Sequence, residues 1–266
     1  MTCINCGTEG ETQFCPNCGQ KNPAQKITVG HLYHDFQARI YGFDGMFPRT
    51  LRDITLRPGH VARKFIEGNR VLYYGPVGYF FLMITVLLLL MSLLDVDLIE
   101  FLKQSSKASY LPVQEGSKSQ AQFTQAVFQF VSENLKWISF AIIPVQALCS
   151  RFIVFRKSGF NYLEHSVLPF YVQGHLYWIS IVSVIYYKIA GVFLPPWIAP
   201  VIGLSYFSFA YANFFNYQSK SKAFFKGLSV YVAAQVIFFV IVAAIVVLLV
   251  LLNPDIQNML KPSHNP

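Results

Sequence analysis

Apolar residues dominate five long stretches of the chain, and short polar segments that carry most of the charge separate them. Each stretch approaches or exceeds the roughly 18 apolar residues that a helix needs to cross a bilayer. The fifth stretch is the clearest, because it is 25 residues long. The pattern predicts an all-α multipass membrane protein with about five transmembrane helices, at residues 78–94, 137–155, 166–190, 193–215 and 228–252.

The residues ahead of the first span, 21–76, form a basic juxtamembrane region with helical periodicity. Segments 46–56 and 60–67 each place apolar residues on one side and cations on the other, and Pro58-Gly59 separates them. Such helices commonly lie in the bilayer interface, with cations among anionic headgroups. The alternative is packing against the cytosolic face of the membrane domain. The candidate headgroup contacts are Arg49, Arg52, Arg57, Arg63, Lys64 and Arg70.

The overall composition supports a membrane domain over an ordinary soluble one. The chain is 54% hydrophobic and 13% charged, whereas about a quarter of the residues in soluble domains are charged. The first apolar run begins near Tyr79, so we expect no cleavable signal peptide. In the loop 95–136, apolar residues recur at helical spacing from Phe123 to Val131 and predict an amphipathic helix on the outer surface. A tail, 253–266, follows the last span.

The distribution of cations predicts the orientation of the spans. Nine Lys and Arg residues precede the first span, three lie at 151–157 and three at 220–226. Five spans with a cytosolic N-terminus and an outside C-terminus put all three groups in the cytosol, as the positive-inside rule requires. The second span, 137–155, is the weakest of the five, because Lys136 and Arg151 must both snorkel to the interface.

Residues 1–20 carry the clearest chemical signature, two CxxC pairs that are each followed by glycine. Four thiolates suit structural Zn²⁺ in tetrahedral geometry, and glycine permits the φ > 0 turn that points backbone amides at sulfur. The alternative is a pair of disulfides or redox pairs, which the reducing cytosol and the lack of a βαβ unit disfavour. The predicted ligands of this zinc ribbon are Cys3, Cys6, Cys15 and Cys18.

A few polar residues lie inside the predicted spans. Glu164, Tyr171 and His175 share one face of the third span. Ionisable groups at bilayer depth are costly, which makes these residues candidates for a proton-linked or ligand-contacting site. The alternative places Glu164 in the headgroup layer and gives His175 one interhelical hydrogen bond. The further candidates are His165, Gln173 and Asn213.

Several of these motifs resemble an uncharacterised family of bacterial multipass membrane proteins with an N-terminal zinc ribbon. The resemblance rests on Cys3-x2-Cys6-Gly7 with Phe14 to Gln20, on Thr50-Leu51 with Leu56 to Gly59, on Gly68 to Arg70 with Tyr73 to Pro76, and on Glu164-His165. It implies membership, topology and a place in the bacterial cytoplasmic membrane. It implies no reaction.

Three functions remain open from the sequence. The first is a non-enzymatic cytosolic module, regulatory, binding or scaffolding, on a membrane domain that engages anionic lipid and a protein partner. The second is a small proton-linked transporter with a Glu164/His175 site, and the third is a membrane-embedded lipid-modifying enzyme. The sequence contains no GxSxG, HExxH or P-loop motif, which favours the first. Nucleic-acid binding is disfavoured, because residues 1–20 hold no Lys or Arg.

The four-cysteine motif predicts about one zinc ion per chain in the purified protein, measured by metal analysis. Replacing Cys15 and Cys18 by serine removes two soft ligands and is expected to abolish the bound metal. The same substitution at Cys149, which lies alone in an apolar run, is expected to leave the zinc content unchanged. Protein that holds no zinc, with its thiols reduced or paired in disulfides, would contradict the assignment.

Overall fold

A computed structural model of the protein divides into two compact units, Met1–Phe47 and Pro48–Pro266. The predicted boundary between residues 76 and 77 falls inside the second unit, because residues 48–68 and 72–76 pack with the membrane helices. The residues that the structure describes are 2, 7–9, 12, 14–18, 46–68, 72–108, 118–195, 197–215 and 219–252.

The first unit is described at a few positions around the cysteine motif. Thr2 and Glu9 form an isolated antiparallel bridge, and Gly7 has the positive φ of 71° that the CxxC-Gly pattern predicts. Cys15 is buried and Cys18 is exposed. The predicted ligands Cys3 and Cys6 lie outside the described residues, so the four-thiolate zinc site stays a prediction.

Helices, joined by short turns, form all the regular secondary structure of the described part of the second unit. Two short helices, α1 (Met46–Leu56) and α2 (Pro58–Ile66), precede the first apolar helix, α3 (Pro76–Leu93). Two further helices follow on the predicted outer side, α4 (Leu98–Ala108) and α5 (Lys118–Glu133). The remaining elements are α6 (Leu135–Leu148), the π-helical segment Cys149–Val154, α7 (Tyr162–Ala190), α8 (Ile198–Phe214) and α9 (Lys220–Leu252).

Four of these helices are long and apolar enough to cross a membrane: α3, α6 with its π-helical segment, α7 and α9. All five predicted spans are helical, but α8 has 17 residues and begins at Ile198, not at residue 193. Pro195 and Pro196 precede it in the sequence, and proline disfavours helix for the residue before it. In contrast, α9 begins eight residues before the predicted 228, because the apolar run marks only the part of a helix that lies in lipid.

Close backbone contacts bring the helices of the second unit together. An added Cβ on Gly174 of α7 would lie 3.0 Å from the Phe80 Cα of α3. Small residues at such crossings are what membrane helices use to approach each other, since lipid supplies no hydrophobic drive for their association. Helix α9 packs on α8 and α6, yet 11% of its apolar window is buried. Its remaining apolar surface therefore faces outward, as expected for a helix in lipid.

The cationic segments of the second unit meet at one end of the helices, which we call the basic end. The Lys226 ammonium lies 5.4 Å from the centre of the Phe155 ring, and the Phe155 ring stacks on Phe215 with 4.0 Å between centroids. The Arg63 guanidinium lies 5.7 Å from the Phe214 ring. Helix α2, the turn before α7, the end of α8 and the start of α9 therefore lie together.

Candidate functional site

Helices α1 and α2 do not lie free of the membrane helices; α2 packs against both α7 and α8. Val61 and Ala62 on its inner face are fully buried. The two backbones nearly touch, since an added Cβ on Gly59 would lie 2.3 Å from the Asn213 carbonyl carbon. Of the two alternatives for the basic segments, packing against the membrane domain is the one observed. We call the docked pair α1–α2 the clamp.

Asp53 lies at the centre of the face that α1 buries. Thr50, Asp53 and Ile54 are its buried residues, at the i, i+3, i+4 spacing of one helix face. The Tyr73 hydroxyl donates to Asp53 Oδ2 at 2.8 Å. Arg57 Nη2 donates to the same oxygen at 3.1 Å, and Arg52 Nε donates to Oδ1 at 3.1 Å. The carboxylate is 2% exposed and both of its oxygens are satisfied.

These contacts fix the ionisation of the pair. Burial raises the pKa of Asp53, but the hydrogen bonds from Tyr73, Arg52 and Arg57 outweigh it and bring the pKa below its ordinary value of 3.8. Burial and the hydrogen bond to Asp53 both raise the pKa of Tyr73. At neutral pH the carboxylate is therefore charged, and the phenol keeps the proton that it donates.

The connection between α2 and α3 is held on both sides. The Tyr74 amide donates to Thr50 Oγ1 at 2.8 Å, and the Tyr171 hydroxyl of α7 donates to the Tyr74 carbonyl oxygen at 2.6 Å. The two polar groups of one peptide residue are thus used to join α1 to α7. Tyr171, predicted as part of a polar membrane site, instead positions this backbone.

His175 of α7 joins α1 to α3. Its Nε2 lies 3.2 Å from Thr55 Oγ1 and its Nδ1 lies 3.0 Å from the Tyr79 hydroxyl. Thr55 spends its one hydroxyl proton on the Leu51 carbonyl oxygen, at 2.8 Å, so it must accept from the imidazole. The consistent assignment is a neutral His175 that donates from Nε2 to Thr55 and accepts at Nδ1 from Tyr79.

Tyr206 of α8 completes the contact. Its hydroxyl donates to the Ile54 carbonyl oxygen at 2.6 Å, close to the C-terminal end of α1, where carbonyl groups lack intrahelical partners. Its ring lies 5.3 Å from the imidazole of His175. Two membrane helices therefore each supply a side chain to the end of α1, His175 from α7 and Tyr206 from α8, while Tyr79 of α3 bonds the second nitrogen of His175.

The predicted membrane site residues separate into different environments. Glu164 forms a capping box with Asn161 at the start of α7: its Oε2 accepts from the Asn161 amide at 2.7 Å, and its own amide donates to Asn161 Oδ1 at 2.9 Å. Its hydrogen bonds therefore stay local, whereas those of His175 reach α1 and α3. The Asn213 side chain donates to the Phe209 carbonyl oxygen and its backbone lies against Gly59, while Gln173 lines a cavity.

His165 is deeply buried, at 1% exposure. Its Nδ1 lies 2.7 Å from Ser150 Oγ in the π-helical segment, and its Nε2 lies 2.7 Å from Ser158 Oγ. A serine beside a histidine can be a nucleophile and its base, but that role needs a third group to orient the imidazole. Here the second nitrogen faces another hydroxyl. The arrangement is suited to tying the turn before α7 to its first helical turn.

The cations predicted to contact lipid headgroups also lie in different environments. Arg49 is exposed. Arg52 and Arg57 bind Asp53, yet their side chains stay 66% and 52% exposed, so headgroup contact remains open to them. Lys64 pairs with Glu67 at 3.0 Å and Arg63 faces the Phe214 ring. Arg70 lies outside the described residues.

Five residues that form these contacts are not among the site residues predicted from the sequence: Asp53, Thr55, Tyr73, Tyr79 and Tyr206. One signal was available for Asp53, which stands among arginines at i−1 and i+4, where an exposed acid and a buried, paired acid give the same pattern. The other four carry no such signal. Their partners lie 20 to 152 residues away, and helical periodicity reports only neighbouring turns.

Asp53→Asn is expected to lower the free energy of unfolding of the detergent-solubilised protein by about 2 kcal/mol at pH 7, because a buried charged hydrogen-bond acceptor is lost. The pKa of Asp53 is lowered in the folded state. Its contribution is therefore fully present above about pH 5 and is lost as the pH falls through the folded-state pKa, below 3.8. Thermal unfolding of both proteins from pH 7 to 3 measures this difference, which should shrink with acid.

The matched control is Asp97→Asn, because Asp97 is exposed and accepts from the Glu100 amide, a capping role that asparagine fills equally well. An Asp53→Asn variant that unfolds at the wild-type temperature at pH 7 would show that the buried carboxylate does not hold the clamp.

The clamp coincides with the part of the chain that matches a known family model. Residues 44–88 match a family described as a protein of unknown function, DUF3667. This range covers α1, α2 and the first part of α3, including Asp53, Tyr73 and Tyr79. No curated protein and no solved structure matches the chain. The chain therefore contains a domain similar to an uncharacterised family, and that domain includes the whole of the clamp.

Proposed function

We propose that the protein is a membrane-embedded regulatory or binding protein whose zinc-bearing N-terminal unit acts on the membrane helices through the clamp. The observation that carries the proposal is the set of contacts from α1 and α2 to α7 and α8: the Gly59–Asn213 backbone contact and the hydrogen bonds of His175 and Tyr206. Since the chain continues from the N-terminal unit into α1, a ligand or protein partner that binds the unit can bias this packing.

We further propose five crossings, with the N-terminus in the cytosol of a bacterium and the C-terminus outside. The support is the basic end, where the cations of α2, of the turn before α7 and of α9 meet, as the positive-inside rule expects for one side of the membrane. Phe160, just before α7, lies 5.4 Å from Phe214 at the end of α8. Helix α8 thus returns to the end at which α7 begins, and its 17 residues rise about 26 Å.

The exposed guanidinium groups of Arg49, Arg52 and Arg57 support a role for anionic lipid. They belong to the clamp rather than to the membrane helices, and the Arg52 and Arg57 side chains stay 66% and 52% exposed while they bind Asp53, so headgroup binding and clamp packing can occur together. Lipid contact would then add to the docking without competing with it, at about 1 kcal/mol per cation near an anionic surface.

A small permease is the second candidate. Its support is a polar cavity beside Gln173, at mid-depth in α7. The Glu164/His175 pair that first suggested proton coupling gives it less support, since Glu164 caps α7 and His175 donates to the clamp. A lipid-modifying enzyme would need a nucleophile with an oriented base, and within the described residues the Ser150–His165 pair has no orienting carboxylate.

The coupling can be tested on the full chain, because its three tryptophans, Trp137, Trp178 and Trp197, all lie in the second unit. Tryptophan fluorescence during heating therefore reports the membrane helices alone. We expect removal of zinc by a chelator to lower the unfolding midpoint by several degrees, since 1 kcal/mol shifts it by about 2–4 °C in a chain of this size.

Gly59→Ala pushes α2 away from α8 and should reduce the response to chelation to less than half, as well as lowering the midpoint itself. Gly75→Ala is the control, because an added Cβ there meets nothing within 4 Å, and it should respond as the wild type does. If metal analysis confirms that zinc has been removed and the wild-type midpoint does not move, the N-terminal unit does not act on the membrane helices.

A further inference from the structure

A cavity of about 320 Å³ lies between α6, α7 and α9, and its lining includes no residue of the clamp. This is the lower end of the range for small-molecule sites, roughly 300–1,000 Å³. Its walls combine apolar side chains with five polar ones: Ser139 on α6, Gln173, Tyr177 and Ser180 on α7, and Gln235 on α9.

Four of the five polar lining residues lie near the middle of α7 and α9, two helices that are long and apolar enough to cross a membrane, and the middle of such a helix is the depth of the hydrocarbon core. Gln173 and Ser180 fall in the middle third of the 29-residue α7, and Gln235 falls in the middle third of the 33-residue α9. Amide groups at this depth are costly unless they find hydrogen-bond partners. Within the described residues, neither glutamine side chain has one. Two amides that line one cavity and have no protein partner indicate that an occupant of the cavity supplies their hydrogen bonds.

Ser180 adds a third such group. Serines in membrane helices usually return their proton to a carbonyl of the preceding turn, as Ser183 does with the Ile179 carbonyl oxygen at 2.8 Å. In the part of the chain that the structure describes, Ser180 makes no such bond. Its hydroxyl is therefore free to serve the cavity, one turn away from a serine that is fully used.

The lining also limits the charge of an occupant. None of its nine residues is ionisable at neutral pH, since the remaining four are Ile138, Ile142, Leu176 and Phe238. A charged group would be stripped of water with no counter-charge, at a cost of several kcal/mol. An uncharged group that both donates and accepts hydrogen bonds would satisfy the amides and hydroxyls, and the apolar walls would take its methylene groups.

We propose that this cavity binds an uncharged hydroxyl- and ester-bearing group, either the head of a neutral glycerolipid or a free polyol. The site belongs to the membrane helices and depends neither on zinc nor on the clamp.

Radiolabelled 1,2-dioctanoylglycerol binding to the full chain in detergent tests the proposal. We expect saturable binding, and binding at least tenfold weaker for dioctanoyl phosphatidic acid, which has the same tails and a charged head. Competition by glycerol would assign the site to free polyols, and its failure would assign the site to the lipid. Both results support the uncharged class.

The combined change Gln173→Leu with Gln235→Leu should weaken binding at least tenfold, and Ser180→Ala should weaken it severalfold. Ser183→Ala is the matched control and should bind as the wild type does. The leucine variant should melt no lower than the wild type, because it removes unpartnered amides from the hydrocarbon depth. If the leucine variant fails to fold, the comparison of binding by Ser180→Ala with binding by Ser183→Ala decides whether the polar lining holds the ligand.

Three results would overturn the proposal. Absence of saturable binding would leave a cavity filled by water. Equal binding of the charged phosphatidic acid would mean that the tails, not the polar lining, attract the lipid. Binding that is unchanged in the leucine variant, or in Ser180→Ala where that variant decides, would place the site elsewhere.

Discussion

The docking of α2 on α8 is the constraint on which the rest of the second unit depends. At Gly59 and Asn213 the two helix backbones approach so closely that a single methyl group would force them apart. This approach brings the end of α1 within reach of α7 and α8. The hydrogen bonds of His175 and Tyr206, and the burial of Asp53 behind them, are available because the clamp lies this close to the membrane helices.

Buried polar groups in the second unit fall into two sets with different consequences. Both polar side-chain atoms have a hydrogen-bond partner in each of Asp53, His165 and His175. These residues therefore specify one arrangement of the helices around them. Gln146 is fully buried, and both polar atoms of its side chain lack partners among the described residues. Each such atom costs about 1–3 kcal/mol. The unpaired glutamines of α6, α7 and α9 are therefore among the features of the described residues for which structural stability gives no reason.

The helices could be predicted from the sequence, whereas their contacts could not. Periodicity located α1 at residues 46–56 and identified all five apolar stretches as helical, because burial in lipid leaves an uninterrupted apolar run. It overestimated α8, since Pro195 and Pro196 are apolar enough to extend a run but stop a helix. It also assigned Glu164 and His175 to one site because they share a face, while their partners lie on different elements. The spacing of residues within one helix determines which of them share a face. The hydrogen-bond partner of a residue on that face can lie about 100 positions away in the chain, and the spacing does not report it.

The same limit explains the basic segments. A cationic amphipathic helix has the same sequence pattern whether its apolar face contacts lipid or protein. What distinguishes the two cases is the structure, in which the Asn213 backbone lies against Gly59. The packing of α2 against protein makes the segment an integral part of the membrane domain. It also explains how an N-terminal unit could be coupled to that domain. A helix that lay in the interface without packing on the membrane helices would not change their packing when the N-terminal unit binds a ligand.

Amide hydrogen exchange of the full chain in lipid nanodiscs tests this account most directly. If the clamp is docked, the amides of α2 should exchange nearly as slowly as those in the first half of α7, since both must open together. Gly59→Ala should accelerate the exchange of α2 and leave α9 unchanged. Rapid exchange of α2 in the wild type, at the rate of the partly exposed helix α5, would show that the segment lies free in the interface and would contradict the account.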